Sequence, residues 1–170
     1  CAASLITISL GCGRAVTLSN GHYNGVFSLR APNDWHEIQN RKSWRNYSLV
    51  LEAPNNCCVI QVELIHEGED SASRSIEVVA ELYAVGRGRH MGMQSNLIAN
   101  NQILVDNREA RAVTVSRVHG PTVHYASSVF IRTDKGLAVL TLTWTPTTSL
   151  DAIDEWERVL DSFSLPTASR

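Results

Sequence analysis

The sequence predicts an α+β domain with a mostly antiparallel sheet, and three observations carry that prediction. Between Ala112 and Trp144 the chain reads as strands broken only by turns: Ala112–Val118, then His119-Gly120-Pro121, then Thr122–Thr133, then Asp134-Lys135-Gly136, then Leu137–Trp144. Asp-Lys-Gly between two β-rich runs is a short hairpin connection with Gly136 free to take positive φ, and Pro121 cannot donate to a ladder, so it belongs at a turn. A helix over Leu150–Phe163 closes the chain, and a second over Arg74–Val85 separates the early strands from the late ones. Strands, helix, strands, helix is the pattern of an α+β domain.

Side-chain alternation assigns the faces. Leu137, Val139, Thr141 and Thr143 share one side of the last strand, and Ala138, Leu140, Leu142 and Trp144 share the drier one. Neither is uniformly polar, so the sheet is covered at least in part on both sides. The terminal helix supplies one cover. Ser149 suits an N-cap, Asp151, Asp154 and Glu155 place negative charge at the favourable end of the dipole, and Ile153, Trp156, Leu160 and Phe163 form one apolar stripe that Pro166 ends.

The amino-terminal part divides into residues 1–19, a single domain over 20–166, and a tail over 167–170. Ala2–Leu10 is short, apolar and uncharged and leads into Gly11-Cys12-Gly13, as an export signal with a truncated start would. Ser19–Gly25 reads as a polar tether, Val26–Leu29 as a first strand, Asn33-Asp34-Trp35 as a turn, and Arg41–Arg45 as a basic interruption. Tyr47–Ala53 and Cys57–Ile65 are further strands on either side of Pro54-Asn55-Asn56. Glu67–Ser73 is a charged loop, and Gly86 and Gly88 are read as the stop of the mid-chain helix. That leaves Arg87–Ser95 as a loop and only Gln102–Val105 as a short strand before Asp106-Asn107, with Asn96–Asn101 ambiguous.

A length of 170 residues suits one domain with a sizeable core, and Lys plus Arg against Asp plus Glu gives 15 − 17 = −2, without the basic surplus of a nucleic-acid binder. No run is long enough to span a membrane. Adjacent Cys57 and Cys58 point to opposite faces of a strand and read as buried thiols, not a disulfide. His119 and His124 flank one turn without a carboxylate at ligand spacing, so no metal site is expected. No Gly-x-Ser-x-Gly elbow is present, Ser127-Ser128 lies mid-strand, and Gly86-x-Gly88 lacks the frame of a phosphate loop. Glu63, His66, Glu67 and Glu69 read as a solvated strand end. The composition that does suggest a site is Trp35, Arg41, Lys42, Trp44, Arg45 and Tyr47, because aromatics mixed with arginine are the make-up of binding hot spots.

Phe-Ser-Leu-x-Ala-Pro-x-x-Trp (Phe27 to Trp35), a helix of the Ile76–Tyr83 kind, a long β-meander and Trp-Glu-Arg-Val-Leu-Asp-Ser-Phe (Trp156 to Phe163) occur here in the order of the PsbP-like family, which the chain resembles from Gly25 to Pro166. The resemblance implies a three-layer α/β/α sandwich. The family includes extrinsic photosystem subunits, a nuclear-import factor that binds a small GTPase, and bacterial lipoproteins of the DcrB and LpqN types. Ser9-Leu10-Gly11-Cys12 likewise resembles a lipobox, with Leu10 one place later than usual, and implies lipidation at Cys12. The expectation is then a non-enzymatic, exported or lipid-anchored domain without cofactor. It would bind a protein partner or assist assembly of an envelope complex, and would meet a membrane only through Cys12. The alternative expectation is a small-ligand or metal carrier with a cleft between sheet and mid-chain helix.

Overall fold

The hairpins expected between Ala112 and Trp144 form the centre of a seven-stranded sheet. The computed structural model describes residues 18–23, 27–42, 46–54, 58–66, 73–134, 136–148 and 150–166. Its elements in order are β1 (Leu18–Tyr23), β2 (Phe27–Pro32), β3 (His36–Lys42), β4 (Asn46–Glu52), β5 (Cys58–Ile65), α1 (Ile76–His90), β6 (Gln94–Val105), β7 (Arg108–His119), β8 (Thr122–Thr133), β9 (Gly136–Trp144) and α2 (Leu150–Ser162). Strands β1 and β2 make a separate ribbon, and the main sheet runs β3-β4-β5-β9-β8-β7-β6 with every pair antiparallel. The last strand therefore enters between β5 and β8, and Leu137 to Leu142 are all buried.

Both faces are covered, which makes the three-layer α/β/α sandwich. On one side Trp156 and Val159 of α2, with Phe163 just after it, join Phe27 and Leu29 of the ribbon over Leu49, Ile60, Val62, Val129, Leu140 and Leu142. The ribbon is tied to the end of α2 by Ser28 and Ser164, whose backbone groups exchange two hydrogen bonds of 2.9 Å. On the other side Ala80 and Ala84 of α1 pack on Val113, Val115, Ala126, Phe130 and Val139. Burying each of these larger aliphatic or aromatic side chains contributes roughly 1.5–3 kcal/mol.

Four local expectations are corrected. Ser19–Gly25 is not a tether over its described part, because β1 pairs along β2 from Leu18↔Pro32 to Tyr23↔Phe27. Arg41 and Lys42 belong to strand β3, opposite Ser48 and Tyr47, and are not part of an interruption. The Arg87–Ser95 loop and the ambiguous Asn96–Asn101 resolve into the last turn of α1 and one twelve-residue strand, β6. Finally, α1 runs through Gly86 and Gly88. It starts at Ser75, whose Oγ accepts from the Val78 N–H at 3.4 Å. It stops at Gly92, with φ +71°, where the N–H groups of Gly92 and Met93 close on the carbonyls of Arg89 and Gly88 at 3.0 and 2.9 Å. A left-handed glycine with that paired bonding is the strong helix terminator, whereas an interior glycine is only a weak one. The turn Asp106-Asn107, both at positive φ (53° and 57°), joins β6 to β7 as a two-residue hairpin.

Cys58 is buried at 2% exposure, as expected for a core thiol. Cys12 and Cys57 lie outside the described residues. No described helix is long and apolar enough to cross a membrane.

Candidate functional site

Helix α1 covers only part of its side of the sheet. It lies over β6, β7 and β8 and reaches β5 through Tyr83 and Arg87, while no described helix makes an extensive contact over the same face of β3 and β4. The side chains there are polar or half-buried because alternation puts Gln39 and Arg41, then Ser48 and Val50, then Gln61 and Glu63 on that face. The register aligns Arg41, Ser48 and Glu63 in one row across the three strands. Gln39 donates from Nε2 to Ser48 Oγ at 3.1 Å, and beside them on β8 and β9 the buried hydroxyls of Ser128 and Thr141 pair at 2.9 Å.

The border of this open face is a charged cluster held by α1. Tyr83 and Arg87, one turn apart, lean from the helix over β5. Arg87 donates through Nη1 to Glu63 and through Nη2 to Gln61 Oε1 at 2.8 Å, while the Tyr83 hydroxyl donates to Glu63 Oε2 at 3.0 Å. The Tyr83 ring rests edge-on against Phe130, with centroids 5.7 Å apart, which fixes the angle at which the hydroxyl arrives. Burial is the largest single influence and works against the charge on Arg87, but Glu63 and Tyr83 together outweigh it and the net shift is upward. Deeper under the helix, Arg117 is 5% exposed and donates from Nη2 to the Ala84 carbonyl at 3.2 Å. Burial, and then the like charge of Arg87, pull its pKa down.

Burial first and the Glu63 charge second push the Tyr83 phenol from 10.0 up to about 12. A phenol that holds its proton more tightly folded than unfolded stabilises the protein fully below pH 10.0 and loses that contribution as pH rises through about 12. Tyr83→Phe should therefore flatten the loss of stability on the alkaline side and remove one late-titrating phenol from an absorbance titration near 295 nm. Loss of a phenol titrating near 10.0 instead would show that the Tyr83 hydroxyl is solvated.

Of the six residues named from composition, the structure puts Trp35 and Tyr47 on one side of the sheet and Arg41 on the other. Trp35 is half-buried against the α2-side core and donates from Nε1 to Glu155 at 3.3 Å. Tyr47 is 3% exposed on that side, edge-on to Phe27 at 5.3 Å, with its hydroxyl on Asn40 Oδ1 at 2.7 Å. Arg41 is exposed on the opposite, α1-side face, and Lys42 is the register partner of Tyr47. Trp44 and Arg45 fall outside the described residues. Composition missed Gln61, Glu63, Tyr83 and Arg87. The available signal was weak: two polar side chains at i and i+2 of a strand, and a Tyr–Arg pair at i and i+4 of a helix that the glycines seemed to end too early.

Between α1 and the sheet, where the carrier alternative puts a cleft, Ala80, Ala84 and Gly88 are buried and Tyr83 rests on Phe130. A cavity of about 580 Å³ lies elsewhere, between the β6–β7 hairpin and the end of α2, bordered by Leu104, Asp106, Glu157 and Asp161. Among the described residues no three His, Cys, Asp or Glu side chains stand close enough to share a metal ion.

This three-layer arrangement is shared with known structures. The cyanobacterial PsbP protein (CyanoP) of Synechocystis sp. PCC 6803 superposes with a TM-score of 0.70 at 13% identity, over 92% of this chain and 96% of that one. The Ran-binding protein Mog1p of Saccharomyces cerevisiae gives 0.64 at 9% identity, over 89% and 96%. PA94 of Pseudomonas aeruginosa, described as a putative regulator, gives 0.55 at 13% identity, over 89% and 99%. No protein-family model and no curated protein sequence matches the chain. The chain has the PsbP-like fold.

Proposed function

We propose that this chain is a non-enzymatic, exported or lipid-anchored domain that binds a protein partner or assists assembly of an envelope complex. The observation that carries the reading is the open row Arg41–Ser48–Glu63, bordered by the pre-formed Tyr83–Arg87 clamp on Glu63. A pre-ordered polar surface loses little side-chain freedom when a partner arrives, so its contacts are retained as affinity. The fold is also that of a yeast protein named for binding Ran and of a cyanobacterial PsbP, which agrees with a recognition role. Arg41 would be the accessible cation of the surface, with Lys42, Trp44 and Arg45 following it in the chain, while Trp35 and Tyr47 would hold the scaffold beneath. Cys12 would carry the lipid.

The test is a pull-down from envelope extracts with wild type and with Arg41→Ala/Trp44→Ala. The double variant should keep the wild-type melting temperature and lose the captured partner. Retained capture, or an unfolded variant, would show that these residues do not form the recognition surface. In the same extracts, Cys12→Ser should move the full-length protein from the detergent phase to the aqueous one, and an unmoved protein would remove the lipid anchor from the reading.

A further inference from the structure

The two edges of the main sheet differ in a way that points to a second copy of this chain. Edge strand β3 (HEIQNRK) carries His36, Glu37, Arg41 and Lys42, the charges that normally keep a sheet edge from pairing. Edge strand β6 (QSNLIANNQILV) has no charged residue and no proline over its whole length. It also exposes Leu97 and Ile98, 42% and 56% accessible, at a bulge midway along it. That bulge is a protective device of the kind edge strands use.

Helix α1 continues the edge upward. Ala80, Ala84 and Gly88 face the sheet, and Tyr83 and Arg87 reach toward β5. At about 100° per residue, Glu81, Val85 and Arg89 then form a stripe on the flank turned toward the β6 edge, with Val85 half-buried against the α1-side core and exposed Val78 beside it. This stripe is self-complementary. With two copies antiparallel, Val85 meets Val85 of the second copy, and Glu81 and Arg89 each meet their opposite charge. Neither Glu81 nor Arg89 has an ion-pair partner among the described residues.

The strand and helix halves of this surface share one axis. Gly88 lies against Ser95, and Glu77 reaches Arg111, the register partner of Gln102, so α1 runs antiparallel to β6 with Val85 near the level of Leu97. A two-fold axis that brings Val85 to its copy therefore also brings Leu97 and Ile98 to theirs. About eight residues of β6 would lie along the second copy, roughly 26 Å of edge. The helix flank adds to this strand contact, and a standard interface buries roughly 800 Å² per partner.

We infer that the chain forms a two-fold homodimer through the β6 edge and the Glu81–Val85–Arg89 flank of α1. This is independent of the partner surface proposed above, which lies at the other edge. Sedimentation velocity from about 1 to 200 µM, a range that brackets a contact of this modest size, tests it with four proteins. Wild type should move from monomer to dimer across the range. Glu81→Arg and Arg89→Glu, both at exposed positions, should each weaken association about tenfold or more, and the double exchange Glu81→Arg/Arg89→Glu should restore it. Ile98→Lys should abolish it with an unchanged circular dichroism spectrum. A wild type that stays monomeric at 200 µM overturns the inference. So does a dimer indifferent to both single exchanges, because it must use another surface.

Discussion

Trp156→Ala is expected to lower the unfolding free energy by about 3–5 kcal/mol, close to the whole stability of a marginal domain. The indole is 5% exposed and sits in the cluster that joins α2 to Leu49, Ile60, Leu140 and Leu142. Truncation removes its transfer energy and leaves a space that the flanking Val159 and Phe163, themselves fully packed, are poorly placed to fill. Urea unfolding with an unchanged m-value would read the loss directly. Leu104→Ala is the control: at 75% exposure the side chain should change stability by less than about 0.5 kcal/mol. A Trp156→Ala protein within about 1 kcal/mol of wild type would mean that α2 does not roof the sheet.

The second large effect separates two glycines two residues apart in the same helix, on opposite sides of it. A Cβ on Gly88 would stand 1.8 Å from Ser95 Oγ, 3.1 Å from Ser95 Cβ and 3.5 Å from Arg117 Nε, whereas one on Gly86 would meet nothing within 4 Å. Gly86→Ala should stabilise by about 0.5–1 kcal/mol through helix propensity alone. Gly88→Ala should destabilise by about 1–3 kcal/mol, because the Ser95 hydroxyl can rotate aside but its Cβ moves only with β6. Adding Ser95→Ala should recover much of that loss by removing the closest atom. The three melting curves together check the claim, and equal effects at both glycines would contradict it.

The same two residues show why part of the fold was illegible in the chain. Glycine in a helical pattern signals a stop when only propensity is considered, yet Gly88 is where α1 lies directly against Ser95 of β6, and the stop lies four residues on at Gly92. β1 and β3 were hidden for a related reason. Their residues are polar, and only the ladders to β2 and β4 make them strands. The site followed the same division. Arg41 was visible as a cation among aromatics, but Glu63 resembled a solvated strand end until α1 set Tyr83 and Arg87 over it.

What the chain alone determined is what short-range physics controls. Two-residue periodicity placed Leu140 and Leu142 on one face, Gly136 turned one hairpin, and the helical stripe of Trp156 and Phe163 required an apolar surface to cover. The tertiary structure decided what depends on residues far apart in sequence: β9 entering between β5 and β8, the Glu63–Arg87 pairing, and the face of β3 and β4 that no described helix covers. Local sequence fixes dihedral preference and side-chain direction, but which distant groups meet depends on how the layers bury their apolar faces together.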